Sequence, residues 1–244
     1  MRVEAIALHL RPRTMSEATD LGVRLVQANA RSVWATFTPV WALVVIIALA
    51  FGAVAPWLPA LIVFWTKPWL DRTLLFVLSR AVFGTPTRLA DVWAAQRAVW
   101  WQQLLSTLTL RRLSGWRSYT QPARQLEGQR GAALRARRKQ LLRGKRAAAL
   151  GMHMAFAQLE SLLLVGVLVL AVWFAPEASQ RSVFETLFKS DSDAVALLIA
   201  ATYAAIVLLV EPFYVGAGFA MYLNRRVELE AWDVEQEFRL AFAA

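Results

Sequence analysis

The sequence predicts an all-α fold, a polytopic transmembrane helix bundle of about four spans with amphipathic helices at the membrane interface. Three observations lead there. The 244 residues are 58% hydrophobic, with eleven tryptophans and a mean hydropathy of +0.43; soluble domains average about 45–50% apolar. The apolar residues are gathered into long runs: no charge lies between Arg31 and Lys67, and Ala194 to Leu223 contains a single one, Glu211. The net charge of +10 is unevenly placed. Lys67 to Arg146 holds seventeen Lys/Arg against three Asp/Glu, while the rest of the chain holds ten against fourteen. That bias is a topology signal, because cytoplasmic loops collect Lys and Arg.

Several chemistries are excluded or unsupported. The chain has no cysteine, which rules out disulfides, thiol catalysis and cysteine metal sites. His9 and His153 are far apart and have no metal-ligand spacing. HExxH, GxSxG and a phosphate-binding glycine loop are all missing from the sequence. No catalytic residue, metal site or cofactor is therefore predicted. Ala5 to Leu10 is too short for a signal-peptide core and is followed by Arg11, Arg13, Glu17 and Asp20. The first span is expected to serve as the insertion signal.

Residues 1–32 read as a polar lead. Ser16 or Thr19 is a candidate cap for a short helix with Leu21, Leu25 and Val26 on one face. That helix either lies on the cytoplasmic membrane surface or is a solvated lead-in. The first span is placed at 33–54, with Pro39 in its early turns, and Ala55-Pro-Trp-Leu-Pro59 reads as an outer turn. The segment 58–79 has two readings. One is a second span carrying Lys67, Asp71 and Arg72 within the bilayer, with Lys67 and Asp71 four apart and able to pair. The other is a re-entrant dip ending near Trp65, followed by an interfacial helix. The crossing is preferred because the basic region that follows belongs inside.

Residues 80–149 form the predicted cytoplasmic loop. Within it, 87–112 is expected to be one amphipathic interfacial helix with Trp93, Trp100, Leu104 and Leu108 on a stripe, joined by Trp101 and Leu105. The alternative is a helix packed on the protein's own spans. Ser114 to Pro122 reads as loop. Arg130, Arg135, Arg137, Arg138, Lys139, Arg143, Lys145 and Arg146 form a basic segment. Beside a span, anionic phospholipid headgroups suit it best, at about 1 kcal/mol per cation near the surface. A protein partner is the second choice, and nucleic acid is not expected. The third span is placed at 151–174, an outer loop poor in Lys/Arg at 175–193, the fourth span at 194–223, and a short amphipathic cytoplasmic tail at 224–244.

Ionisable side chains inside a membrane are costly and therefore have a partner or a role. Counting residues puts Lys67, Glu160 and Glu211 within one or two turns of the midplane, with Asp71 and Arg72 about one turn deeper. The prediction is an intramembrane charge cluster of Lys67, Asp71, Arg72, Glu160 and Glu211. It serves either as an ion-pair lock between spans or as a polar pocket for a headgroup or proton. Gly216 and Gly218 permit a close helix contact in the fourth span.

Lys67-Pro-Trp-Leu-Asp-Arg72, Leu78-Ser-Arg-Ala-Val-Phe-Gly84, Gln125-Leu-Glu-Gly-Gln-Arg-Gly131, Glu211-Pro-Phe-Tyr-Val215, Leu223-Asn-Arg-Arg226 and Leu229-Glu-Ala-Trp-Asp-Val-Glu235 resemble segments of a group of uncharacterised proteobacterial inner-membrane proteins. Genes for that group often lie near MoxR-type ATPases and transglutaminase-like membrane proteins. More distantly, the layout is similar to the membrane domain of some glycerophosphodiester phosphodiesterases. The resemblance covers about a third of the chain. It implies a bacterial inner membrane and a part in a multi-protein envelope assembly, and it carries over no functional residue.

The expected function is a non-enzymatic inner-membrane scaffold or coupling subunit with both termini cytoplasmic. Its expected partners are membrane lipids and membrane or cytoplasmic proteins, and a homo-oligomer is possible. The alternative is a carrier or binding protein for a lipid or small anion that uses the buried charges.

Overall fold

Thr14 sets the start of the first helix. Its hydroxyl accepts from the Glu17 amide and the Glu17 carboxylate accepts from the Thr14 amide, a reciprocal capping box. The cap is thus Thr14, not Ser16 or Thr19, because only Thr14 has a glutamate three residues on. The computed structural model of the chain describes residues 13–102, 104–109, 114–189 and 192–230. Every regular element among these is helical.

Ten helices follow in order: α1 Met15–Ala28, α2 Ala30–Ala50, α3 Leu58–Ala81, α4 Leu89–Ala94, α5 Leu104–Leu108, α6 Arg117–Gln125, α7 Gly131–Leu142, α8 Arg146–Trp173, α9 Glu177–Lys189 and α10 Asp193–Glu230. α2 runs through Pro39 and ends in a 3₁₀ turn, Phe51–Ala53. α3 is continuous through Pro68, so 58–81 is one helix and not a dip followed by a second helix. It stops at Gly84, whose φ of 69° permits the left-handed turn that returns the Gly84 and Thr85 amides to Ala81 and Arg80. α10 extends 38 residues through Pro212 and takes in the start of the expected tail. The remainder of that tail and residues 1–12, with His9, lie outside the described residues.

Three helical segments are long and apolar enough to cross a membrane: Ala30–Ala53, Arg146–Trp173 and Asp193–Glu230. α3 is long enough but carries Lys67, Asp71, Arg72 and Arg80.

Three predicted segments differ. The expected single helix over 87–112 is broken into α4, a π turn at Arg97–Trp101 and α5. The break has a physical cause: backbone carbonyls in the turn are taken by side chains of α3. Arg72 donates to the carbonyls of Ala98 and Val99, and Trp69 donates to that of Trp100. Trp100 is buried and donates to Thr73, whereas Trp93 and Trp101 are exposed. The segment therefore packs on the protein's own helix, and its tryptophans do not form one stripe. Ser114 to Pro122 is mostly helix rather than loop, since α6 starts at Arg117 and buries Arg117, Ser118, Tyr119 and Thr120. The predicted outer loop contains α9, with Phe184 stacked on Phe188.

The fold divides into two compact units. The first comprises Met1–Phe37, Pro68–Met154 and Pro212–Ala244. Here α1 lies against α10 through glycines: a Cβ on Gly22 would strike the backbone of Gly216 and Ala217. The buried face of α1 is Met15, Ala18, Gly22 and Val26, while Leu21 and Leu25 are only half-buried. Asn224 ties the start of α1 to α10 by accepting from the Arg13 amide and donating to its carbonyl. Ser32 and Thr36 of α2 both donate to the Thr87 carbonyl.

The second unit comprises Thr38–Lys67 and Ala155–Glu211. Its core is Val45, Ala48, Val63, Ala204 and Val207, flanked by Trp41 and Tyr203. α8 takes little part in such burial. Only 6% of its most apolar window is buried, against 33% for α2 and α10, and Leu162, Val165, Val169 and Leu170 are exposed.

Candidate functional site

The long helices carry their charges at a few positions, and each has a defined partner. In the second unit, the Lys67 ammonium on α3 lies 2.5 Å from Glu160 Oε1 on α8 and 2.6 Å from Glu211 Oε2 on α10. Glu211 is fully buried, and Lys67 and Glu160 nearly so. A buried carboxylate and ammonium are tolerated only when paired, because desolvating either alone costs several kcal/mol. Three helices thus meet at one cation.

In the first unit, Asp71 is held by a different partner. Arg117 Nε lies 2.7 Å from Asp71 Oδ2, and both side chains are buried. The Arg117 guanidinium also stands over the Tyr214 ring, 5.1 Å from its centroid, a cation–π contact. The Tyr214 hydroxyl is 3.0 Å from His153 Nδ1, and Ser118 Oγ donates to the Tyr214 carbonyl at 2.9 Å. A Cβ on Gly218 would run into Ser118, so the glycine lets α6 seat against α10.

Arg72 does a third job. Besides its two backbone carbonyls it reaches Thr107 Oγ1, and its own carbonyl accepts from Gln125. The five predicted residues therefore serve three arrangements: Lys67, Glu160 and Glu211 meet; Asp71 joins Arg117; Arg72 clamps the π turn. Arg117 and Tyr214 were not among the predicted site residues. Arg117 lay in a stretch read as loop, and only its position among apolar and hydroxyl residues hinted at burial.

The basic segment divides by exposure. Arg130, Arg135, Lys139, Arg143 and Arg146 are exposed, while Arg137, Arg138 and Lys145 are half-buried. Arg137 forms a fork with Glu127 at 2.8 Å and reaches Glu230 at 2.5 Å. The hydrogen bond to Glu127 and that to Glu230 outweigh burial and push its guanidinium further above the usual range. Lys145 and Arg225 both grip Glu228, at 2.9 and 2.6 Å, and Arg226 grips Glu230. Burial by itself raises the Glu228 and Glu230 carboxyls, but these hydrogen bonds bring both below the ordinary carboxylate range. The network fastens α7 and the loop before it to the end of α10. Tyr119 of α6 donates to the Leu141 carbonyl, and burial pushes its phenol up.

No protein-family model, curated protein or solved structure matches the chain.

Proposed function

We propose that this chain is an integral protein of a bacterial inner membrane, crossing it four times with both termini cytoplasmic, and that it works as a non-enzymatic scaffold or coupling subunit. The observation that carries the reading is the junction of Lys67 with Glu160 and Glu211. Three charged side chains from three long apolar helices are held against one another, which suits a frame that fixes helix packing. The open apolar side of α8 leaves that frame with surface for lipid or for the apolar helix of a protein partner. The exposed cations of α7 and its flanks suit an anionic membrane surface.

Mild extraction from native membranes followed by mass spectrometry of everything that co-purifies tests the proposal. A stoichiometric protein partner is the expected result. A chain that purifies alone under conditions that preserve other membrane complexes would refute the scaffold role.

A further inference from the structure

Four arginines from four segments of the first unit line one cavity. Its volume is about 70 Å³, several times the space that one water needs. Arg72 comes from α3, Arg117 and Arg124 from α6, and Arg138 from α7, with Thr107 and Ser114 adding hydroxyls to the wall. No carboxylate is among its described lining residues. Asp71 offsets one of the four charges through Arg117, and that leaves a strong local excess of positive charge. Arg72 and Arg117 are buried, whereas Arg124 and Arg138 are half-buried and give the cavity a side toward solvent.

The arginines are also positioned in advance. Arg72 is fixed by the carbonyls of Ala98 and Val99. Arg117 is fixed by Asp71 and the Tyr214 ring. Arg138 Nη2 is 3.4 Å from Ser114 Oγ. Like charges converging in a partly desolvated space repel one another. An anion that accepts from several of them relieves that repulsion, and guanidinium groups match the oxygen geometry of phosphate especially well. The hydroxyls add neutral donors, as a tetrahedral oxyanion requires.

We infer that this cavity is a binding site for a phosphate group, borne either by an anionic phospholipid headgroup or by a soluble phosphate compound. The inference is independent of the scaffold role; only its lipid form rests on the chain being in a membrane. The site also differs from the Lys67 junction, which has two carboxylates and would repel an anion.

The test uses the full chain purified in neutral detergent. Melting is followed with inorganic phosphate, or with short-chain phosphatidic acid, against chloride at equal ionic strength. Wild type should be stabilised by at least one of the two phosphates and not by chloride. Stabilisation by inorganic phosphate identifies a soluble ligand; stabilisation by phosphatidic acid alone identifies a headgroup. R124Q/R138Q should lose at least about tenfold in affinity for the active probe, since two charge-assisted donors are removed. R135Q/K139Q, which changes exposed cations of α7 outside the cavity, should keep it. If neither probe stabilises wild type beyond chloride, the site does not exist, whatever the variants do. Equal losses in the two double variants would reduce the effect to general charge and overturn the assignment.

Discussion

At Lys67 one ammonium faces two carboxylates, so the junction carries a formal excess of negative charge when all three are ionised. This makes the three residues unequal. Replacing Lys67 by Met leaves Glu160 and Glu211 facing each other without their shared cation, and breaking a buried pair in this way costs about 3–5 kcal/mol. Replacing Glu160 by Gln leaves the neutral pair Lys67–Glu211 and still offers an acceptor. That variant should melt within a few degrees of wild type. The expected order of damage is Lys67→Met, then Glu211→Gln, then Glu160→Gln, read as melting temperature in detergent. An equal effect of all three would mean that the junction is not an electrostatic unit. Its outline was legible in the sequence, because charges in uncharged runs stand out and counting residues gives their depth. The split between Lys67 and Asp71 was not. Four residues on one helix allowed them to pair, and the partner that claims Asp71, Arg117, comes from a segment whose polar composition concealed a buried helix.

Elements show the same division between what composition reveals and what packing decides. The long apolar helices fall close to their predicted bounds, since hydrophobic length alone defines them. The 87–112 segment does not form one helix, because α3 side chains compete for its carbonyls, and no periodicity within the segment records that competition. The seat of α1 on α10 depends on two glycines, of which only Gly216 was singled out in the sequence. Gly22→Ala places a methyl against the backbone of α10, where nothing flexible can move aside. A destabilisation of about 1–3 kcal/mol is expected, the usual penalty of overpacking, and unchanged chemical denaturation would disprove the close crossing. The network at the end of α10 adds a pH dependence. Glu228 and Glu230 have folded pKa values below the ordinary 4.5. Their contribution is therefore complete above pH 4.5 and is lost as pH falls through the folded values. Melting of wild type should drop more steeply below pH 4.5 than that of E228Q/E230Q, which has no such carboxylates to protonate. Parallel curves for the two proteins would show that the network does not stabilise the fold.

At the scale of the whole molecule the open question is how many times the chain crosses the membrane, and α3 decides it. By composition α3 does not qualify, since it carries Lys67, Asp71 and Arg72. Each of the three is nevertheless buried and held: Lys67 by two carboxylates, Asp71 by Arg117, and Arg72 by backbone carbonyls. A charge satisfied inside protein does not face lipid, so hydropathy overstates its cost. Counting crossings then gives two incompatible arrangements. If α2, α3, α8 and α10 all cross, residues 84–145 share a side with both termini, and α9 lies opposite. If α3 does not cross, residues 84–145 share the side of the turn after α2, and α9 joins the N-terminal side. The first arrangement puts the segment with seventeen cations against three anions in the cytoplasm, as the bias of Lys and Arg demands; with a cytoplasmic N-terminus the second would export it. The chain has no cysteine, so single cysteines report cleanly. Gln140→Cys on α7 and Ser182→Cys on α9 both replace exposed residues. In intact cells an impermeant maleimide should label Ser182→Cys and spare Gln140→Cys until the membrane is opened. Labelling of Gln140→Cys from outside, with Ser182→Cys protected, would remove α3 from the membrane and with it the four-span arrangement.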